Sequence, residues 1–230
     1  MRVVLVGDIH KEFLSMIDFL SMAKSNFGVQ AAIQVGDFGF FENDFFGDLY
    51  FPIPVYAIDG NHEDHEWLHR CVNDGSVQRW QDAHNLIYQP RGSVVRMGSS
   101  NIGFIGGALH VDREQESNLG SGITNYIQRT QSEMALRNFT ANHLDLIVSH
   151  SCPSGIGIGM KSNALFASTV AQYLEKSGFT ASPQNDCGEA ELKFLWDSLN
   201  QRENQTPPHW VFGHFHVFHK AMIGQTQFIC

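Results

Sequence analysis

Short apolar runs, each followed within two residues by a glycine, recur through the first third of the chain. They occupy positions 3–6, 31–35 and 54–58. Continuous runs of this length are typical of strands buried on both faces. Apolar residues at helical spacing between positions 13 and 22 predict a helix, and a second helix is expected to begin near Asp64. The alternation of strands and helices predicts a mostly parallel sheet.

The middle of the chain changes character, because its apolar runs become shorter and turn residues separate them. Strands are predicted at 86–88, 94–97 and 102–105, which indicates hairpins and a second sheet. A further buried strand is predicted at 144–148, helices at 162–178 and 188–203, and closing strands at 209–212, 217–222 and 227–229. No repeat or low-complexity linker divides the chain. We therefore expect one domain over 1–230, in which 151–208 could form a helical cap.

Composition bears on the partners and the cellular location of the protein more than on its fold. The 230 residues are 43% hydrophobic, enough for one large core, and the net charge is −9. An acidic chain lacks the cationic field that long nucleic acids require, so we expect neither long DNA nor RNA as a partner. The four cysteines form no CxxC pair and are expected to be reduced thiols. No apolar stretch is long enough for a membrane span, and no signal peptide is evident, so a cytoplasmic protein is expected.

Polar residues cluster just after five of the predicted strands. In open α/β sheets, sites form at the carboxyl ends of strands, so these side chains should converge on one edge of the core. One Asp or His after a strand is usually a turn residue, but five such strand ends together are a different matter. The side chains concerned are Asp8, His10, Asp37, Asn61, His62, His150, His214 and His216.

The segments that carry these residues resemble the five motifs of the calcineurin-like metallophosphoesterases, and their order agrees from residue 7 to residue 216. The family pattern is DxH, GD, GNH[DE], [GS]H or TH, and GHxH. The matching segments here are GDIH at 7–10, GD at 36–37, GNHE at 60–63, SH at 149–150 and GHFH at 213–216. The resemblance implies an α/β fold, a four-layer α/β/β/α sandwich of two mixed sheets flanked by helices.

The resemblance also implies two divalent metal ions and a set of ligands for each. Asp37 would bridge the pair, and a water shared by two ions so held becomes a hydroxide near neutral pH. Oxygen and imidazole ligands without thiolate suit Mn²⁺ first, with Fe or Zn²⁺ as alternatives. One ion would be held by Asp8, His10, Asp37 and His216, and the other by Asp37, Asn61, His150 and His214.

His62 is not a ligand in this scheme. The resemblance implies that it is a general acid, which protonates the leaving oxygen, or a donor that stabilises the transferring phosphoryl group. The alternative is that His62 merely caps the helix that follows it.

One departure from the protein Ser/Thr phosphatases bears on the substrate. Those enzymes extend the second motif as GDxVDRG, whereas here Phe40 replaces the second Asp and no Arg follows. A phosphomonoester dianion depends most on such a bidentate Arg. We therefore expect a phosphodiester substrate that is small or nucleotide-like; a protein Ser/Thr or general phosphomonoester phosphatase is the alternative. A nuclease and a non-catalytic scaffold are further alternatives, although no ligand is lost as a scaffold would predict.

Two further segments could contact substrate. The stretch 106–113 resembles GGAxxxD[RK] of a bacterial and phage-type branch of the family, which makes His110 and Arg113 candidate phosphate contacts; a turn with a surface salt bridge is the alternative. Seven aromatic residues between positions 38 and 51 form either a packed core segment or a wall on which a nucleobase could stack.

Overall fold

The computed structural model of the chain describes residues 1–42, 47, 49–109, 124–155 and 188–230. Within these ranges, the strands form one sheet of four and one sheet of six. The two sheets and the helices beside them position every proposed metal ligand.

The first sheet has four parallel strands in chain order. They are β1 (Val3–Val6), β2 (Ala31–Gln34), β3 (Val55–Ala57) and β4 (Leu86–Tyr88). The first three match the predicted strands in position. Burial on both faces is wrong for β1, which lies at the edge of the sheet and has Leu5 41% exposed. The position of β4 among the short middle strands had predicted that it belongs to the second sheet. This prediction is wrong, because two helices lie between β3 and β4 and return the chain to the first sheet. A strand that follows such a crossover pairs in parallel with its predecessor.

The second sheet has six strands in the order β5-β6-β7-β8-β10-β9. Its central pairings are parallel, whereas β5 with β6 and β9 with β10 are antiparallel hairpins at the two edges. Only this sheet is mixed, since the four-stranded sheet is parallel throughout; the predicted α/β sandwich is otherwise confirmed. Its strands are β5 (Ser93–Met97), β6 (Ser100–Ile105), β7 (Leu146–Ser149), β8 (His209–Val211), β9 (Lys220–Ile223) and β10 (Thr226–Ile229).

Five α-helices lie in the described ranges. Three of them agree with the predicted positions: the first, the one that begins after Asp64, and the last. Asp64 accepts a hydrogen bond from the backbone N–H of Trp67, as an N-cap residue should. The predicted helix at 162–178 lies outside the described residues. The five are α1 (Phe13–Phe27), α2 (His65–Asn73), α3 (Arg79–His84), α4 (Arg129–Thr140) and α5 (Ala190–Asn200).

Three apolar clusters separate the layers. One joins α1, α2 and α3 to the outer face of the first sheet, and another joins α4 and α5 to the outer face of the second. The third lies between the sheets and takes residues from both, such as Ile33 from β2 and Phe104 from β6. These contacts give the order helix, sheet, sheet, helix. No helix in the described ranges is both long enough and apolar enough to span a bilayer.

Three of the aromatic residues between positions 38 and 51 are part of the core, whereas Tyr50 is 56% exposed. Phe38, Phe40 and Phe51 are all 0% exposed, and Phe40 stacks on Trp80 with ring centroids 5.6 Å apart. Phe45 and Phe46 lie outside the described residues. The packing of Phe40 explains the departure noted above: this position fills the core beneath the helices instead of supplying a carboxylate to the site.

Candidate metal centre

The proposed ligands follow the carboxyl ends of five strands, three in the first sheet and two in the second. They come after β1, β2 and β3, and after β7 and β8. Parallel pairing within each sheet brings neighbouring strand ends together. The site therefore lies across the ends of both sheets, where the chemistry of α/β folds is usually found.

Asp8, His10 and His216 form the first group of possible ligands. One ligand atom from each lies within 4.8 Å of the other two. Nε2 of His10 and Nε2 of His216 are 3.2 Å apart, and Nε2 of His216 is 3.9 Å from Oδ1 of Asp8. The two imidazoles are exposed, so this group is open to solvent and to a substrate.

Asp37, His150 and His214 form the second group, again with one ligand atom each within 4.8 Å of the others. Nε2 of His150 lies 3.3 Å from Oδ2 of Asp37 and 3.1 Å from Oδ1 of Asn61. The four residues named as ligands of the second ion are thus brought together. His150 is 0% exposed, which makes this the deeper of the two groups.

Asp37 lies between the two groups. Its Oδ2 atom is 3.9 Å from Nε2 of His10 in the first group and 3.3 Å from Nε2 of His150 in the second. Its other oxygen, Oδ1, accepts a hydrogen bond of 2.9 Å from the backbone N–H of His62. The carboxylate is therefore oriented with one oxygen toward both groups, as a bridging ligand requires.

Hydrogen bonds to the backbone orient the ligand side chains. Nδ1 of His150 lies 2.8 Å from the carbonyl oxygen of Val35, so donation from Nδ1 leaves Nε2 facing the second group. The backbone N–H of His214 donates to Asp8, at 2.9 Å to Oδ1 and 3.2 Å to Oδ2. These contacts link the two sheets directly through the ligands.

Opposite charges stabilise each other at the buried group. Burial disfavours the charged form of Asp37, but His150, which also donates a hydrogen bond to it, outweighs burial and holds the pKa of that carboxyl well below its usual range. Burial likewise opposes charge on His150, yet Asp37 and then Asp8 raise the pKa of His150 to about 10. A proton on His150 thus occupies the position that a cation would take.

Four proposed ligands have left-handed backbone conformations that non-glycine residues seldom adopt. The φ angles are +43° at His10, +51° at Asp37, +70° at His214 and +51° at His216. They make up half of the eight such non-glycine residues in the described ranges. Sparsely populated backbone angles concentrate where function requires a particular side-chain direction, and here they aim ligands into the site.

His62 lies at the open side of the centre. Its ring centroid is 5.7 Å from that of His10, and its side chain is exposed. Partial burial lowers the pKa of His62. The charge of Asp37 raises this pKa, and the neighbouring imidazole of His10 lowers it further. His62 thus lies beside the proposed ligands without belonging to either group.

Glu63 is an organising residue that the sequence reasoning missed. Its buried carboxylate accepts hydrogen bonds from four backbone N–H groups, at 2.9 Å from Phe38, 3.0 Å from Gly39, 2.7 Å from Phe40 and 3.3 Å from Gly60. Burial and the charge of Asp37 raise the pKa of Glu63, whereas the backbone N–H donors lower it and favour the ionised form. Glu63 thereby fastens the loop after β2 to the loop after β3.

Gly60 occupies a position in which no side chain fits. A Cβ atom there would collide with the side chain and the backbone nitrogen of Asp37. The loop after β3 therefore packs directly on the bridging carboxylate. Only glycine permits this close approach.

The described cysteines provide no competing ligand. Cys71 and Cys230 are free thiols, Cys152 is buried, and Cys187 lies outside the described residues. Burial and then the charge of Asp8 raise the pKa of Cys230 to about 12, so this thiol stays protonated. The donor set among the described residues is therefore oxygen and imidazole nitrogen, which fits Mn²⁺, Fe or Zn²⁺.

Three predictions cannot be located. The candidate phosphate contacts His110 and Arg113 lie outside the described residues, as does most of the proposed cap at 151–208, of which only 151–155 and 188–208 are described.

Comparisons with known proteins agree with this architecture. A family model described as calcineurin-like phosphoesterase matches residues 1–218. No curated protein matches the chain. One solved structure aligns with a TM-score of 0.61 at 12% identity, over 99% of this chain and 89% of its own.

Two further solved structures are similar to this chain at lower scores. GAP50, the anchor in the inner membrane complex of Plasmodium, aligns with a TM-score of 0.50 at 13% identity, over 100% of this chain and 70% of its own. The phosphopantetheinyl hydrolase PptH of Mycobacterium tuberculosis aligns with a TM-score of 0.49 at 12% identity, over 99% and 87%. At such identities the likeness concerns the fold alone.

Proposed function

The chain belongs to the calcineurin-like phosphoesterase family, and from this premise we propose that it uses two divalent cations to hydrolyse small phosphodiesters. Metal-dependent phosphoester hydrolysis is the general chemistry of the family. The assignment of two cations rests on one observation, the pair of adjacent ligand groups with Asp37 between them.

The residues present fit such a pair of cations. Asp8, His10 and His216 would hold one ion, and Asn61, His150 and His214 the other, with Asp37 between them. When bound, two such ions polarise phosphoryl oxygens and lower the pKa of water enough to make it a nucleophile near neutral pH. Buried carboxylates and imidazoles crowded this closely are costly unless cations compensate them. Mn²⁺ is the first choice among the metals that this donor set accepts.

The protein's own contribution beyond the ligands is a proton donor and a rigid frame. His62 projects at the open side, where its imidazole could give a proton to the leaving oxygen of the ester. Its backbone N–H is tied to Asp37, so the donor and the proposed bridging ligand keep a fixed relation. Glu63 holds the loop that carries both Asn61 and His62.

The diester assignment is supported by the absence of an arginine from the second motif. Phe40 is in the core, where the Ser/Thr phosphatases have a carboxylate, and no arginine follows it. Arg91, which binds Asp59 just before the loop that carries Asn61, has all five donor positions directed at protein acceptors. A monoanionic diester needs less positive charge than a dianionic monoester, so it suits such a site better.

A substrate comparison tests this proposal. The protein loaded with Mn²⁺ should hydrolyse bis-p-nitrophenyl phosphate with a higher kcat/KM than p-nitrophenyl phosphate. Faster turnover of the monoester would replace the diester assignment with a phosphomonoesterase. A panel of small and cyclic nucleotides, with single-stranded oligonucleotides as the nuclease control, would then identify the leaving group.

A further inference from the structure

A buried ion pair lies just before the loop that carries Asn61 and His62. Asp59 is 1% exposed and the side chain of Arg91 is 9% exposed. Nε and Nη2 of Arg91 donate to Oδ2 of Asp59, at 3.0 Å and 2.7 Å. The hydroxyl of Tyr88 donates to the other oxygen, Oδ1, at 2.9 Å. Both carboxylate oxygens are therefore occupied by donors that fix their direction.

The remaining donors of Arg91 bind a different part of the chain. Nη1 donates to the carbonyl oxygen of Tyr126 at 2.6 Å and to Oε1 of Gln131 at 3.0 Å, and Nη2 donates to the carbonyl oxygen of Thr124 at 3.0 Å. A guanidinium has five N–H donors, and all five have acceptors here. Arg91 thus fastens the segment that leads into α4 to the residue that precedes the Asn61 loop.

The backbone of the GG stretch after β6 packs against this pair. A Cβ on Gly106 would collide with the side chain of Asp59, and one on Gly107 would lie 2.5 Å from Nη2 of Arg91. The backbone N–H of Gly107 also donates to the carbonyl oxygen of Asp59 at 2.9 Å. This contact accounts for the two glycines of the 106–113 stretch, which the proposed chemistry leaves unexplained.

Asp59 and Glu63 therefore anchor the two ends of one short loop. Asp59 directly precedes Gly60 and binds Arg91. Glu63 directly follows His62 and accepts hydrogen bonds from backbone N–H groups of the loop after β2. Between these anchors lie only Gly60, Asn61 and His62. A loop fixed at both ends by buried carboxylates has little freedom to reorient.

We propose that Arg91 is a positioning residue for the hydrolytic reaction: through Asp59, it sets the position of His62 relative to the metal centre. This inference rests on the proposed function. Arg91 does not touch the substrate in this scheme, because its donors are used within the protein. Loss of the pair would loosen the loop that carries Asn61 and His62, while the ligands outside this loop keep their places. The proton donor would be displaced, and small displacements of catalytic groups cost up to ~100-fold in rate.

The test compares Arg91→Gln and Arg91→Lys with the wild type on two diesters. Bis-p-nitrophenyl phosphate releases p-nitrophenolate without needing a proton, whereas diphenyl phosphate releases phenol, which needs one. We expect kcat for diphenyl phosphate to fall by about tenfold or more in Arg91→Gln, with a much smaller fall for the nitrophenyl ester. KM should change little. With Mn²⁺ in excess the metal content should also stay near the wild-type level, because Asn61 is the only proposed ligand in the loosened loop. Arg91→Lys keeps the charge but loses the planar guanidinium donors, so its kcat for diphenyl phosphate should lie between those of the wild type and Arg91→Gln.

A paired substitution separates positioning from folding. Arg91→Gln alone leaves Asp59 buried without its cation, whereas Asp59→Asn combined with Arg91→Gln removes both charges. The double variant should regain Tm without regaining the ratio of the two ester rates. Arg96→Lys, which alters an exposed arginine on β5, is the matched control and should leave both rates unchanged.

The outcomes distinguish this inference from the function on which it rests. A wild-type protein that hydrolyses neither ester with Mn²⁺ overturns the proposed function, and the positioning role with it. An active wild type, with folded Arg91 variants that keep the same ratio of ester rates, overturns the positioning role alone. Recovery of that ratio in the double variant along with Tm would show that Arg91 serves only stability.

Discussion

Nε2 of His10 and Nε2 of His216 lie 3.2 Å apart, although 206 positions separate the two residues in the chain. Two imidazole nitrogens this close must share a proton or face a common cation. The Oδ1 atom of Asp8 is 3.9 Å from Nε2 of His216, which favours the cation. The contact also joins the first strand of one sheet to a central strand of the other.

Removal of metal should abolish hydrolysis and lower thermal stability. The ligands come from both sheets, so bound ions stabilise the folded form selectively; at ~100 times Kd, one ion contributes about 2.7 kcal/mol. We expect two Mn²⁺ per chain by elemental analysis, and a lower Tm after treatment with a chelator. The His216→Ala variant should retain one ion, since His216 belongs to the first ligand group only. A wild-type chain that binds no ion in excess Mn²⁺ would contradict the proposed centre.

Replacement of His62 should impair chemistry and leave metal binding intact. His62→Ala removes the proposed proton donor, so kcat should fall by ~10²–10⁴-fold, the usual contribution of general acid catalysis. Metal content should stay at the wild-type level because His62 is in neither ligand group. The matched control is His69→Ala, an exposed histidine on α2, which should retain full activity. Unchanged hydrolysis in His62→Ala would mean that the assigned role is wrong.

Metal binding should release protons. In the metal-free protein the pKa of His150 is raised from 6.5 to about 10, so this imidazole is charged at pH 8 and must lose its proton to act as a ligand. Metal affinity should therefore rise with pH up to about 10. Titration calorimetry at pH 8 in buffers of different ionisation enthalpy should give different apparent binding enthalpies. Identical enthalpies in all buffers would show that His150 is already neutral.

Glu63→Gln should weaken both the fold and the reaction. The amide would turn its own N–H donors toward backbone N–H groups that now donate to a carboxylate, and such unpaired buried donors cost about 1–3 kcal/mol each. We expect a lower Tm and a lower kcat, because the Asn61 loop loses one of its anchors. Glu66→Gln, an exposed change in the first turn of α2, is the control. A variant with wild-type Tm and kcat would refute the anchoring role.

Sequence reasoning was most successful where one local signal was strong. Each strand of the first third was visible as an apolar run, and the proposed ligands were visible because they follow those runs directly. The helix α4 was missed, since its buried face is made of Ser132, Ala135 and Phe139 and carries a single large apolar side chain. A stripe of small residues gives little helical periodicity to detect.

Long-range polar contacts were beyond sequence reasoning for a different reason. Asp59 and Arg91 each follow a strand, as the proposed ligands do, but nothing in their neighbourhood shows that they pair across 32 positions. Glu63 was noticed only as a letter of a motif. Its role depends on a loop from another part of the chain folding over it, which no local pattern encodes.

The division of the ligands between the two sheets also bears on how the protein is made. Asp8, His10 and Asp37 emerge first during synthesis, whereas His214 and His216 emerge only after residue 213 has been translated. The site therefore stays incomplete in a growing chain until the last two histidines have been added. A product truncated before β8 would lack His214 and His216, and with them one proposed ligand of each ion.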